Sequence, residues 1–160
     1  MDGRHKVKVD PLKDVSFSQD SVKNKFAKGI LQGKELGAVL DAIIEGKKDY
    51  LDYILKNMEE AEYKKPNKYY ARNNRSLWLL KQLSLNDYSK VFEIWRSTTK
   101  IEDWRFTTKN DGAKIMIRGN PGGKNTKPAD FWAIATQPYL LAFAEREEAY
   151  NDESDDDYDD

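Results

Sequence analysis

Apolar side chains recur at helical spacing in three stretches of the chain. Residues 33–46 carry the clearest stripe, formed by Leu36, Val39, Leu40, Ile43 and Ile44. This spacing predicts an amphipathic helix, and Gly46 stands where a helix commonly ends. Residues 50–58 repeat the pattern, and residues 75–83 begin a third apolar stripe after a polar turn. The pattern therefore predicts helices at residues 33–46 and 75–83, and either a helix or in part a strand at residues 50–58.

Alternating runs between these stretches predict strands. Residues 6–9 (KVKV) alternate and stop before Pro11, and residues 88–95 contain the run VFEIW, which favours a strand. Residues 60–73 predict a hairpin that turns at Pro66-Asn67. Residues 106–118 predict a second hairpin around Asp111-Gly112, since Asp-Gly between alternating runs is a strong turn signal.

The remaining segments predict loops and further helices. Residues 17–26 (FSQDSVKNKF) are expected to form a loop across the surface, because their many polar side chains cannot all be buried. Residues 84–88 are expected to start a new element, with Ser84 or Asn86 as its cap. Residues 120–128 predict a flexible basic loop. Asp130 is expected to cap the start of an aromatic-rich helix, and a last helix follows it. The fold class is therefore α+β, with a small mixed sheet and packed helices.

Composition places limits on the possible functions. The chain has 160 residues, enough for one domain, and 39% of them are apolar. It has no cysteine, which excludes disulfides, thiolate metal sites and a thiol nucleophile. No apolar run approaches a membrane span, and residues 1–10 lack the apolar stretch of a signal peptide. We therefore expect an intracellular protein, cytoplasmic or nuclear, without a membrane partner.

Charge divides the chain into a basic body and an acidic tail. Residues 145–160 hold ten acids and one arginine, which leaves 26 bases and 18 acids in residues 1–144. We expect residues 1–144 to form the domain and residues 145–160 to be a disordered tail. The tail could cover the basic surface of the body, bind a basic partner or serve only solubility, and the sequence leaves these alternatives open.

Candidate chemistry is concentrated in residues 69–83, YYARNNRSLWLLKQL. A strand ends at Tyr70, a polar turn follows, and a helix begins near Arg75. The first amide groups of a helix have no partner within the helix and point outward. Together with a neighbouring arginine they favour binding of an anion.

Two segments in this order also resemble a known superfamily. The first is VDPLKDVSFSQDSVKNKF and the second is the stretch around NNRSLW. Together they are similar to the two boxes of the ParB/sulfiredoxin-like superfamily, over roughly residues 6–96. Arg75 and Leu77 match the second box, and Phe17, Ser18 and Gln19 match the first loosely. Asn73, Asn74 and Ser76 replace the glycine, the glutamate and the second arginine of the second box.

The resemblance implies a site for nucleotide phosphates. Asn73, Asn74, Arg75 and Ser76 would hold the phosphates, and Ser18 and Gln19 would line the opposite wall. The ligand would be a nucleotide, CTP or ATP, with magnesium. The missing cysteine excludes sulfiredoxin activity, and an amide at Asn74 cannot act as a general base. The resemblance therefore implies a weakly catalytic or non-catalytic binding domain, and it leaves open whether the protein is an enzyme.

The chain also supports an alternative function, as an RNA- or protein-binding module. Basic and aromatic side chains interleave in a way that is typical of surfaces for single-stranded nucleic acid; they are Arg72, Lys109, Lys114, Arg118, Lys124 and Lys127, with Tyr70, Trp104 and Phe106. Strands in place of a helix-turn-helix after residue 84 argue against sequence-specific DNA binding. His5 is the only histidine, and no cluster of metal-ligating residues is evident, so no metal site is predicted. The same absence argues against a nuclease, which is a third and minor possibility.

Overall fold

The computed structural model describes residues 3–128. Three helices form in this range: α1 (Leu36–Ile44), α2 (Lys48–Asn57) and α3 (Asn74–Leu85). The strands are β1 (Arg4–Val9), β2 (Val15–Ser16), β3 (Ser21–Lys23), β4 (Glu59–Glu62), β5 (Tyr69–Ala71), β6 (Phe92–Ser97) and β7 (Met116–Arg118). Single 3₁₀ turns form at Gly29–Leu31 and Asp103–Arg105.

The strands form one mixed sheet and one small pair. The five-stranded sheet has the order β1-β6-β4-β5-β2. Its pairs β1–β6 and β4–β5 are antiparallel, and β4–β6 and β2–β5 are parallel. A parallel pair, β3–β7, stands apart from this sheet. The predicted α+β class with a mixed sheet is therefore confirmed.

The main core lies between this sheet and the helices. Its members include Phe17, Leu40, Leu77 and Ile94, all of which are completely buried. A smaller cluster of Ala61, Tyr70 and Ile101, with Tyr63 and Phe106 packed against it, forms a separate apolar group. Neighbouring residues of a strand point to opposite faces, so Tyr70 joins the small cluster while Ala71 joins the main core.

Elements that depend on local signals form as predicted. All three helices are present, although α1 begins at Leu36 rather than at residue 33. Gly46 has a φ of +117°, as expected of a residue that ends a helix. The hairpin between β4 and β5 turns at Pro66-Asn67, where Asn67 has a φ of +63°. The predicted strand of residues 88–95 forms as β6, displaced toward its carboxyl end.

The second predicted hairpin, over residues 106–118, is wrong. Asp111 and Gly112 do have positive φ angles, as a hairpin turn requires, but the flanking runs do not pair with each other. β7 pairs with β3, about 95 residues earlier in the chain. Thr107 and Thr108 instead donate their amides to the carbonyl of Ser18. Contacts distant in sequence therefore override the local alternation.

One further expectation is wrong, and another is met only in part. Residues 84–88 start no new element, because Asn86 is the carboxyl-terminal cap of α3. Residues 17–26 form a surface loop only in part: Phe17, Ser18, Val22 and Phe26 are buried, whereas most of the polar side chains are partly or fully exposed. The polar atoms of this segment are accommodated by hydrogen bonds to α3 and to residues 107–116, which makes its burial possible.

Residues 120–128 are held by α1 rather than detached from it. The carboxylate of Asp41 accepts the amides of Lys124 at 2.7 Å and Asn125 at 3.0 Å. The helices predicted after Asp130 and the acidic tail of residues 145–160 lie outside the described residues.

A buried lysine joins α3 to the segment between β1 and β2. Lys81 is 5% exposed, and its Nζ donates to the carbonyls of Pro11 at 2.7 Å and Val15 at 3.0 Å. Burial lowers the pKa of Lys81 to about 8, and the nearby Asp10 partly opposes this effect. This lysine therefore holds the backbone of Pro11 and Val15 in place, just before the loop that contains Ser18 and Gln19.

We expect Lys81 to make the protein more stable as the pH rises. Between pH about 8 and its ordinary pKa of 10.5, Lys81 is charged in the unfolded chain and largely neutral in the folded chain. The unfolded state then binds more protons, so the free energy of unfolding rises with pH, by about 3 kcal/mol over the full interval. Urea unfolding at several pH values between 7.5 and 10 measures this slope.

The variant Lys81→Met should lose this rise, and Lys48→Met, which removes an exposed lysine of α2, should retain it. A slope in Lys81→Met equal to that of the wild type would contradict the assignment.

Candidate functional site

The start of α3 is fixed by the neighbouring strand. The side-chain Oδ1 of Asn73 accepts the amide of Glu59 at 2.9 Å, and the amide of Arg72 donates to the carbonyl of Glu59 at 2.9 Å. The amide of Leu77 donates to the carbonyl of Asn73 at 3.0 Å, which is the first bond within the helix. The amides of residues 74–76 are therefore left for partners outside the helix.

Asn74 joins the two segments that the sequence predicted to form one site. Its Oδ1 accepts the amides of Ser18 at 2.8 Å and Gln19 at 3.4 Å. Its Nδ2 donates to the Ser18 hydroxyl at 2.9 Å, and that hydroxyl donates to the carbonyl of Ala71 at 2.6 Å. Asn74 and Ser18 are 1% and 2% exposed. We call these four hydrogen bonds the Asn74 clamp.

Arg75 is buried in the first turn of α3. It is 1% exposed, and its Nε donates to the carbonyl of Lys23 on β3 at 3.4 Å. Lys23 lies opposite Arg118 in the β3–β7 register, and Arg118 is also buried. Two arginines therefore reach the same strand, one from α3 and one from β7. Buried guanidinium groups must be matched by acceptors or anions, and both arginines make further interactions within the chain.

The segment after β6 covers the other side of the Ser18–Gln19 loop. Ser18 accepts the amides of Thr107 and Thr108 at 2.9 and 3.1 Å, and Gly112 accepts the amide of Phe17 at 3.0 Å. A Cβ on Gly112 would lie 2.3 Å from the Phe17 carbonyl oxygen, and its φ is +79°. This position therefore requires glycine, and the loop is held between α3 and residues 107–116.

A tyrosine and an aspartate anchor the turn that contains Gly112. The hydroxyl of Tyr70 donates to Oδ1 of Asp111 at 2.6 Å. Burial raises the pKa of Tyr70, and the bond to Asp111 raises it further. The same bond lowers the pKa of Asp111. This pair therefore stays as neutral phenol and carboxylate near neutral pH.

The predicted site residues occupy different positions around the start of α3. Ser18, Gln19 and Asn74 are in direct contact, whereas the side chain of Asn73 is directed to β4 and that of Arg75 to β3. Ser76 is buried in the same turn. Residues 73–76 each make further interactions within the chain. A ligand that enters here must therefore replace existing contacts.

The basic and aromatic residues named for an RNA surface differ in their exposure. Tyr70 and Arg118 are buried, and Arg72 forms ion pairs with Glu59 at 3.6 Å and Glu102 at 3.2 Å. The ring of Phe106 stacks on that of Tyr63, with 3.8 Å between ring centroids. Trp104 is 59% exposed. The set is therefore not wholly exposed, since it includes the buried Tyr70 and Arg118.

Sequence reasoning missed the roles of Lys81 and Asn74. Lys81 follows Leu77 by four residues and so falls on the apolar stripe of α3, which is the signal of a buried cation. Asn74 carries no comparable signal, because its role depends on a loop 56 residues earlier in the chain.

Comparison with known proteins gives no relative: no protein-family model, curated protein or solved structure matches the chain. Within residues 3–128 no helix is long and apolar enough to cross a membrane. In the same range no group of three or more histidine, aspartate or glutamate side chains is placed to hold a metal ion.

We expect Asn74→Ala to destabilise the fold by roughly 2–4 kcal/mol, because the buried amide of Ser18 loses its acceptor and the Ser18 hydroxyl loses one of its two partners. Urea unfolding monitored by tryptophan fluorescence measures this cost. Asn57→Ala is the matched control, since Asn57 is exposed and its side-chain amide donates only to the carbonyl of Tyr53 in its own helix. Equal costs for the two variants would contradict the role of the Asn74 clamp.

Proposed function

We propose that this chain contains a ParB/sulfiredoxin-like domain that binds the phosphates of a nucleotide, CTP or ATP, at the start of α3. The observation that carries this proposal is the Asn74 clamp, which places the Ser18–Gln19 loop against the first turn of α3. The resemblance in sequence implies that these two segments form the walls of one site. Their contact in the fold supports that arrangement.

The chemistry of this turn fits a phosphate group. The amides of residues 74–76 are not used within the helix, and they lie at the positive end of the α3 dipole. Arg75 adds a guanidinium group, which can bind two phosphate oxygens at once. Residues 73–76 already make other contacts. We therefore expect binding to exchange these contacts for phosphate oxygens, at some cost in affinity.

The clamp also explains why we propose binding without efficient turnover. Both polar atoms of the Asn74 side chain are engaged by Ser18 and Gln19. A side-chain amide neither gains nor loses a proton near neutral pH, and this one is held in place by the fold. Asn74 therefore serves as a positioning residue between the two walls of the proposed site.

A thermal-shift panel with ATP, ADP, CTP, GTP and pyrophosphate, each with and without magnesium, tests the proposal. A ligand at 100 times its dissociation constant should add about 2.7 kcal/mol to the stability of the wild type. Arg75→Gln should lose this added stability, and Arg75→Lys should keep part of it. Arg72→Gln is the matched control, because it removes an arginine that forms ion pairs outside the helix.

Each variant is compared with its own melting temperature without ligand, so a general loss of stability does not affect the result. If Arg75→Gln does not fold, pyrophosphate and sulfate are compared with chloride at equal ionic strength on the wild type. A wild type that no nucleotide or pyrophosphate stabilises would contradict the proposal. Stabilisation that survives in Arg75→Gln would place the ligand elsewhere.

A further inference from the structure

The edge of the large sheet carries a row of cations beside one tryptophan. β1 is an edge strand and pairs only with β6. Arg4, Lys6 and Lys8 alternate along it and are exposed, whereas Val9 is buried in the core. Lys6 lies opposite Trp95 in the register. We call Arg4, Lys6, Lys8 and Trp95 the edge strip.

The indole of Trp95 is held in a fixed orientation. Its Nε1 donates to the carbonyl of Lys56 at 3.1 Å. The guanidinium carbon of Arg4 lies 4.1 Å from the centre of the ring, and Nζ of Lys6 lies 4.8 Å from it. An aromatic ring that contacts two cations is therefore present on the outer side of the sheet. Its orientation is already fixed before a partner binds.

The charges of the edge strip are available to a partner. Within residues 3–128 no carboxylate forms an ion pair with Arg4, Lys6 or Lys8. Glu59, which lies opposite Trp95 on the other side, is paired with Arg72 at 3.6 Å. Glu93 lies opposite Lys8 in the register. Three cations against this one free carboxylate leave the strip positive.

The spacing of the strip suits a chain of phosphates. Alternate residues of a strand are about 7 Å apart, so the backbone positions of Arg4, Lys6 and Lys8 extend over about 13 Å, while the charged groups of Arg4 and Lys6 both lie over the Trp95 ring. Such a row of side chains can follow a nucleic acid backbone while Trp95 stacks against a base. Stacking needs a base face that is not covered by its neighbours, as in a single strand. Lysines on an edge strand also block pairing with other sheets, but that role does not need the tryptophan.

We propose that the edge strip binds single-stranded nucleic acid, with Arg4, Lys6 and Lys8 on the phosphates and Trp95 stacked on a base. This surface shares no residue with the proposed phosphate site at α3. It also differs from the basic and aromatic set predicted from the sequence.

Fluorescence anisotropy tests the proposal. The full chain is titrated into a labelled 12-nucleotide oligoadenylate, once as RNA and once as DNA, at salt concentrations between 50 and 200 mM. The triple variant R4Q/K6Q/K8Q should weaken binding about tenfold or more. It should also make the negative slope of the log association constant against log salt concentration shallower by about 2. The control K28Q/K48Q/K65Q removes the same charge from other exposed positions. It should change the affinity by less than about twofold, because these lysines lie outside the strip.

Trp95→Leu should weaken binding about fivefold or more without changing the salt slope, because stacking is lost and the charges remain. Trp104→Leu removes a more exposed tryptophan and should bind as the wild type does. Trp95→Phe should recover most of the affinity, which separates stacking from a role in folding.

Four results would overturn the proposal. They are equal losses in the two triple variants, competition by a duplex as strong as that by the single strand, binding to phosphatidylserine vesicles with none to oligoadenylate, and no binding at 50 mM salt.

Discussion

The fold around the candidate site depends on one buried side chain, the amide of Asn74. It satisfies two backbone amides and one hydroxyl from a loop more than 50 residues earlier in the chain. Without it the buried Ser18 would have polar groups that no solvent reaches, which is costly in an apolar surrounding. The clamp therefore fixes where the Ser18–Gln19 loop lies and, through that loop, where residues 107–116 pack.

Electrostatics adds a second constraint on the same region. Arg75, Lys81 and Arg118 are all buried, so three cationic side chains surround a short stretch of chain that includes β2 and β3. Burying a charged group is costly. Lys81 offsets this cost because its Nζ donates to two carbonyls and because burial lowers its pKa. Arg75 and Arg118 make further interactions within the chain, so the proposed phosphate site requires an anion to replace some of these contacts.

Sequence patterns predicted the parts of this fold that depend on neighbouring residues. The stripe of α1, the cap at Gly46 and the turn at Pro66-Asn67 each follow from a few adjacent side chains. The pattern failed at residues 106–118, where the Asp111-Gly112 turn forms but its flanks pair with Ser18 and β3 instead of with each other. The contact between Ser18 and Asn74 came from the resemblance, and its hydrogen-bonding geometry could not be predicted, because nothing local specifies it.

Nuclear magnetic resonance of the ¹⁵N-labelled full chain, titrated with pyrophosphate, tests the central claim most directly, because it observes each amide at the start of α3. The account predicts that the signals of Asn74, Arg75 and Ser76 shift together and saturate at one dissociation constant, with Ser18 and Gln19 following. Signals of these residues that remain in place while pyrophosphate is added, or that shift only with the exposed lysines and without saturation, would contradict it.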